Sequence, residues 1–173
     1  MSVSSTKSEV VAPVLLCFDG SEDAAAAIAT AGRLLGSRPA VVLTVWEPVR
    51  VWEPYDPATV ISAPLARLAS EELGLDEIAA DLAREKAERG LALARDAGFD
   101  ATSRIARGKT WRTICEVAEE LDAEPIVVGA RGLGRVESAL LGGVSSAVVV
   151  HASRPVLVVP PHEGDPAGPT RTE

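Results

Sequence analysis

Short runs of apolar, mostly β-branched residues alternate along this chain with segments whose apolar positions recur every three or four residues. The first run, VVAPVLLCF at Val10–Phe18, and the second, AVVLTVW at Ala40–Trp46, are almost continuously apolar. So are Pro125–Val128 and Pro155–Val159. Such runs read as strands covered on both faces. ATSRIA at Ala101–Ala106 alternates instead, which predicts a strand that is half exposed or near a sheet edge.

The intervening segments read as helices. Ser21 is an N-cap candidate, with Glu22 and Asp23 favoured in the first turn, and this helix runs to about Leu35 before Gly36 and Pro39 stop it. A second helical pattern extends from about Pro64 to Ala97, punctuated by Leu73, Ile78, Leu82, Leu91 and Leu93 and ended by Gly98. Its charged run AREKAERG reads as a solvated face with i,i+4 pairs. Gly108-Lys109-Thr110 opens a third helix through Leu121, with Ile114, Val117, Ala118 and Leu121 inward, and a fourth spans Val144 to about Ala152.

This alternation implies an α/β domain: a doubly wound parallel sheet with helices on both faces and right-handed crossovers. Ligands of such sheets lie beyond the carboxyl ends of the strands, where strand order reverses. Asp19 and Gly129 both follow such ends, and they face one crevice if their strands are neighbours. The Pro-rich excursion Glu47–Ala63, which holds Trp52 and Tyr55, reads equally as a lid over a ligand and as a packed flap or dimer contact.

Composition narrows the class. The 173 residues suit one domain, residues 10–160, between polar tails 1–9 and 161–173 that are expected to be disordered. Hydrophobic content is 47% but aromatic content 3%, so Val, Leu, Ile and Ala must build the core. A net charge of −8 argues against nucleic acid or an anionic membrane as partner. The first ten residues lack an apolar signal region and no run approaches membrane-spanning length, so a cytoplasmic protein is expected. Cys17 and Cys115 are too few for a disulfide framework and read as small core residues, and His151 and His162 lack metal-ligand spacing.

The chemistry concentrates in PIVVGARGLGRVESALLGGVSS, Pro125–Ser146. Gly129, Gly132 and Gly134 follow a strand at once, and Gly142-Gly143 precede a helix, with the arm Leu133–Leu141 between. Glycines there serve either tight strand–helix turns or a cradle in which peptide N–H groups and a helix N-terminus hold an anion. Several familiar templates fail. A P-loop ending at Gly108-Lys109-Thr110 would need glycine at Ser103, and a dinucleotide fingerprint beginning at Gly132 would need glycine at Glu137. No Gly-x-Ser-x-Gly elbow is present.

What does match is Gly129-x2-Gly132-x9-Gly142, set between a Val-Val-Gly strand end and Pro-Val-Leu-Val-Val. With VLLCFDGSEDA and LLGGVSSAVVVHASRPVLVV, it resembles the ATP-binding branch of the universal stress protein family over nearly the whole chain. The resemblance implies a five-stranded parallel sheet in the order 3-2-1-4-5, Rossmann-like and akin to the adenine nucleotide alpha hydrolases. It implies a homodimer paired through Pro155–Val159. It also implies ATP as ligand, with adenosine near Cys17, Asp19, Ala40 and Val41. Phosphates would rest on Gly129, Arg131, Gly132, Leu133, Gly134, Gly142, Gly143, Val144 and Ser145. Asp19 would contact ribose or help hold Mg²⁺, a role compatible with an Asx-turn at the strand–helix corner.

One departure stands out: Gly143 occupies the position where the family usually has Ser or Thr, so a side-chain hydroxyl is missing. Ser145 or Ser146 can compensate or can cap the helix. No catalytic residue is assigned, because no placed general base or arginine finger is visible. A nucleotide-responsive dimer, a nucleotide-independent dimerisation module and a slow ATPase or autophosphorylating protein thus remain as alternatives.

Overall fold

A computed structural model describes residues 11–48, 74–131 and 141–161. Nine elements follow in chain order: β1 (Val14–Cys17), α1 (Glu22–Leu35), β2 (Pro39–Trp46), α2 (Leu75–Asp96), β3 (Asp100–Arg107), α3 (Thr110–Glu120), β4 (Ile126–Gly129), α4 (Gly143–His151) and β5 (Val156–Val159). They form one parallel sheet in the order β3-β2-β1-β4-β5, as expected. The tails, most of Glu47–Ala63, the start of the second helical pattern before residue 74, and Gly132, Leu133 and Gly134 lie outside the described residues.

Local chemistry accounts for several boundaries. Ser21 caps α1, its Oγ accepting from the Ala24 N–H at 3.1 Å, and Gly36 ends it with a positive φ of 66°. β1 begins at Val14 rather than Val10; the preceding Pro13 has no N–H to give to a ladder, and its carbonyl accepts from Glu124 instead. β3 is an edge strand, which explains its alternating pattern.

The sheet separates two apolar layers. Val14, Leu16, Phe18 and Val42 pack with Ala27, Ile28 and Ala31 of α1 and Ala94 of α2. Leu15, Leu43, Ile126 and Val128 pack with Ile114, Val117 and Ala118 of α3 and Val148 of α4. With almost no aromatic residues, close approach replaces bulk. A Cβ on Gly90 would come within 2.7 Å of Phe18 Cδ1 and 2.9 Å of Val42 Cγ1, so α2 lies nearly against the sheet.

Register fixes what meets at the carboxyl edge. Cys17 pairs with Leu43, and Leu16 with Val127. Carried on along the strands, this places Phe18 between Thr44 and Gly129 across three adjacent strands. β1 is the point where strand order reverses, since its neighbours β2 and β4 depart in opposite directions along the sheet.

Candidate functional site

A cavity of about 590 Å³ opens above that edge. β1 supplies Cys17 and, just beyond it, Phe18 and Asp19; β2 supplies Leu43 to Trp46; β4 supplies Val128 and Gly129. Two walls rise from this floor, one from the β4–α4 connection and one from α2.

The β4–α4 wall is made chiefly of backbone. Gly129 ends β4 against α1: a Cβ there would lie 3.0 Å from the Asp23 carbonyl carbon and oxygen. The Gly142 N–H donates to the Ala130 carbonyl at 2.6 Å and returns the chain to the cavity, where α4 begins. Among the described residues no side chain caps α4, which leaves the first N–H groups of the helix, at Gly143, Val144 and Ser145, for a ligand. Arg131 lines the same wall, and its Nε is buried with no hydrogen-bond partner among the described residues.

Ser145 is buried, and its hydroxyl donates to the Gly129 carbonyl at 2.6 Å. That bond ties α4 to β4. It occupies the proton that a phosphate oxygen would need, so the side chain of Ser145 does not replace the hydroxyl missing at Gly143; its backbone N–H still faces the helix start. Among the described residues nothing lies within 4 Å of where a Cβ on Gly143 would be.

Asp19 makes the turn expected of it, with Oδ1 accepting from the Ser21 N–H at 2.9 Å. Cys17 is half-buried at the floor. Burial, followed by the nearby Cys115 and Asp19, pushes its thiol well above the ordinary range, so it is protonated and unreactive at neutral pH. Cys115 is likewise half-buried rather than enclosed in the core.

The second wall was not visible in the sequence. Ala79, Leu82, Ala83 and Lys86 of α2 line the cavity, although their helix reads as a solvated amphipathic segment. The Lys86 stem lies over Gly20, within 3.5 Å of where a Cβ would be. Its ammonium makes no hydrogen bond or ion pair among the described residues. Across the mouth, Glu47 accepts from the Thr110 N–H at 2.9 Å and from Thr110 Oγ1 at 2.8 Å, supplying the cap that α3 lacks locally.

The structure thus gathers Cys17, Asp19, Gly129, Arg131, Gly142, Gly143, Val144 and Ser145 at one cavity. Ala40 and Val41 do not line it. They sit at the amino end of β2, paired with Val14 and Leu15, whereas the crevice opens at the carboxyl end, where Thr44, Val45 and Trp46 take their place. A signal for Thr44 was present: it is the one hydroxyl in an otherwise apolar strand. None marked Lys86, which reaches the site only through the packing of α2. Among the described residues no group of three or more His, Cys, Asp or Glu side chains is arranged to hold a metal ion, and no helix is long and apolar enough to cross a membrane.

The model of the universal stress protein family matches residues 11–160. This chain belongs to that family. A universal stress protein of Thermus aquaticus is 30% identical over 148 residues, covering 84% of this chain and 96% of the relative. Another, from Mycolicibacterium smegmatis, is 30% identical over 150 residues, covering 84% of this chain and 47% of the relative. A third, from Synechocystis, is 44% identical over 61 residues, covering 35% of this chain and 39% of the relative. The chain therefore spans less than half the length of the last two relatives.

Among solved structures, a hypothetical protein whose biochemical function was assigned from its structure matches with a TM-score of 0.69 at 23% identity, over 88% of this chain and 98% of that one. A universal stress protein from Archaeoglobus fulgidus in complex with dAMP matches with a TM-score of 0.55 at 19% identity, over 86% and 98%. A universal stress protein in complex with cAMP matches with a TM-score of 0.54 at 22% identity, over 86% and 95%. These likenesses establish the shared Rossmann-like fold.

Proposed function

We propose that this universal stress protein binds an adenine nucleotide, ATP with Mg²⁺, and acts in the cytoplasm as a nucleotide-responsive dimer. The observation that carries the reading is the β4–α4 wall. There an Arg131 whose Nε has no hydrogen-bond partner among the described residues and a helix N-terminus with no side-chain cap among them line one cavity. Both are donors, and both suit the oxygens of a phosphate. The relatives in complex with dAMP and cAMP support an adenine nucleotide as the occupant.

The cavity's remaining charges fit the same ligand. Lys86 and Arg131 supply two cations in a chain of net charge −8. Asp19 offers one carboxylate beside the phosphate wall, which is how Mg²⁺ is commonly held: by one or two carboxylates together with phosphate oxygens. Gly132, Leu133 and Gly134 would complete the cradle from the β4–α4 connection. Dimerisation is proposed through β5, one edge of the sheet, whose Val156, Leu157 and Val158 are half-buried. Phosphorylation of Ser145 is not part of the proposal, because its hydroxyl proton is committed to the Gly129 carbonyl.

The test is direct. Pure protein is denatured and its released ligands identified by mass spectrometry, and stripped protein is titrated with ATP and AMP by calorimetry while Trp46 fluorescence is followed. Nucleotide in the first experiment, or saturable heat with a fluorescence change in the second, supports the reading. Neither a carried ligand nor any binding refutes it.

A further inference from the structure

Residues 101–115, ATSRIARGKTWRTIC, hold four cations and no acidic residue, in a chain where 25 Asp and Glu outnumber 17 Lys and Arg. Three of these cations are neutralised by acids from outside the stretch. Arg104 pairs with Glu120, Arg107 with Asp76 at 2.8 Å, and Arg112 with Glu116 at 3.5 Å. The fourth, Lys109, holds its ammonium 5.6 Å from the centroid of the Trp111 ring and makes no ion pair among the described residues.

Thr110 stands in the middle of this stretch as the first residue of α3, half-buried between the exposed Lys109 and the start of the helix. Its N–H and its hydroxyl both donate to Glu47 Oε1, at 2.9 and 2.8 Å, and both bonds lie at the surface. The helix start carries a partial positive charge, and Lys109 at the N-cap position offers no side-chain acceptor. The carboxylate brought by Glu47 meets that demand from another element. A phosphate carried by Thr110 itself would meet it more strongly, with up to two negative charges and three acceptor oxygens. Room for it exists: a second cavity, of about 510 Å³, opens beside this contact and is lined by Glu47, Pro48, Arg107, Gly108 and Lys109.

We propose that Thr110 is a phosphorylation site for a basic-directed serine/threonine protein kinase, and that its phosphate displaces Glu47 from the start of α3 and docks on Lys109 and Arg107. In the transfer, Thr110 Oγ1 bonds to the γ-phosphorus of ATP held by the kinase while the bond from that phosphorus to the β–γ bridging oxygen breaks. ADP leaves, and the hydroxyl proton passes to the kinase's catalytic carboxylate. The flanking cations act twice: an acidic kinase cleft recognises them, and they then hold the product. Arg107 exchanges Asp76 for the phosphate, and like charge drives Glu47 away. Glu47 and Thr110 also line the larger cavity, so the exchange of anions remodels its rim. The proposal stands independently of the nucleotide reading, because neither the kinase reaction nor the docking needs a ligand in that cavity.

The experiment incubates folded, full-length wild type, Thr110→Val and Thr110→Ser with Mg-ATP and the catalytic domain of an arginine-directed serine/threonine kinase, and locates the phosphate by tandem mass spectrometry. Phosphate on residue 110 is expected in wild type and Thr110→Ser, with none on residues 101–115 of Thr110→Val. Absence of phosphate from Thr110 of the wild type overturns the proposal. The phosphorylated wild type is then titrated by phosphorus NMR. A solvated phosphothreonine has a second pKa of about 6. A lower value is expected here, returning towards the solvated one in phosphorylated Lys109→Met, because neighbouring cations favour the dianion. A value at or above that of a denatured sample overturns the docking. So does a melting temperature of the phosphoprotein below that of unphosphorylated Thr110→Val, which would show the phosphate breaking the helix start instead of capping it.

Discussion

The two walls of the cavity are built by different means. The β4–α4 wall is backbone: Gly129 pressed against α1, Gly142 returning the chain, and the uncapped start of α4. The β2–α2 wall is side chains: Thr44 and Trp46 from a strand, with Ala79, Leu82, Ala83 and Lys86 from a helix far along the chain. A backbone wall presents N–H groups whatever residues carry it, and so suits a group common to many ligands, such as phosphate. A side-chain wall changes with each substitution and suits the part of a ligand that must be told from its analogues. Under the proposed function, binding strength and selectivity would fall on different elements.

The largest expected effect breaks the second wall mechanically. Gly90→Ala puts a methyl into Phe18 and Val42, and α2 must shift from the sheet. Overpacking costs about 1–3 kcal/mol, partly offset by about 1 kcal/mol of helix propensity. A fall in Tm of about 2–8 °C is expected by calorimetric scanning. An unchanged or raised Tm would show that α2 is not held so closely.

Next comes the charge on that wall. Lys86→Met keeps the stem over Gly20 and removes the ammonium. ATP affinity should fall about three- to tenfold, and less in high salt, with a smaller change for AMP. Equal losses for ATP and AMP would place the ammonium away from the outer phosphates. The first wall can be strengthened instead. Gly143→Ser supplies a hydroxyl where no described residue obstructs it, and ATP affinity should rise about two- to tenfold by titration calorimetry. Weaker binding would mean that the residue at 143 does not face the phosphates.

The smallest effect lies outside both walls. Arg104 meets Glu120 through two hydrogen bonds, at 3.1 and 2.7 Å, on the exposed β3 side. The guanidinium holds the Glu120 carboxyl below its ordinary range. A depressed carboxyl contributes stability above its unfolded-state pKa and loses it as pH falls through the lower folded value. Since the pair is solvated, Glu120→Gln should leave Tm at neutral pH and nucleotide affinity within experimental scatter. A clear loss of either would mean that the pair supports more than the surface.

Much of the fold was legible because its determinants are local. Ser21 as a cap, Asp19 as an Asx-turn, Gly36 as a helix stop and the apolar strands each act through neighbours within a few residues. The order of the strands came from the family resemblance, and the sheet agrees with it. Where the structure sets a residue apart from the expected site, the cause is tertiary. Ala40 and Val41 are strand residues of the right element but at its buried amino end, four residues short of the edge that carries Thr44 and Val45. Ser145, a candidate for the phosphate, turns to the Gly129 carbonyl because α4 folds back over β4.

The sequence by itself determined that a parallel sheet would carry a glycine-rich wall after its fourth strand, since turn conformation and strand burial depend on residue type and spacing. Only the tertiary structure decided what faces that wall. Thr44 and Lys86 are 42 positions apart. They share the cavity because β2 lies beside β1 and because Gly90 lets α2 settle onto Phe18 and Val42. That packing sets the depth of the cavity.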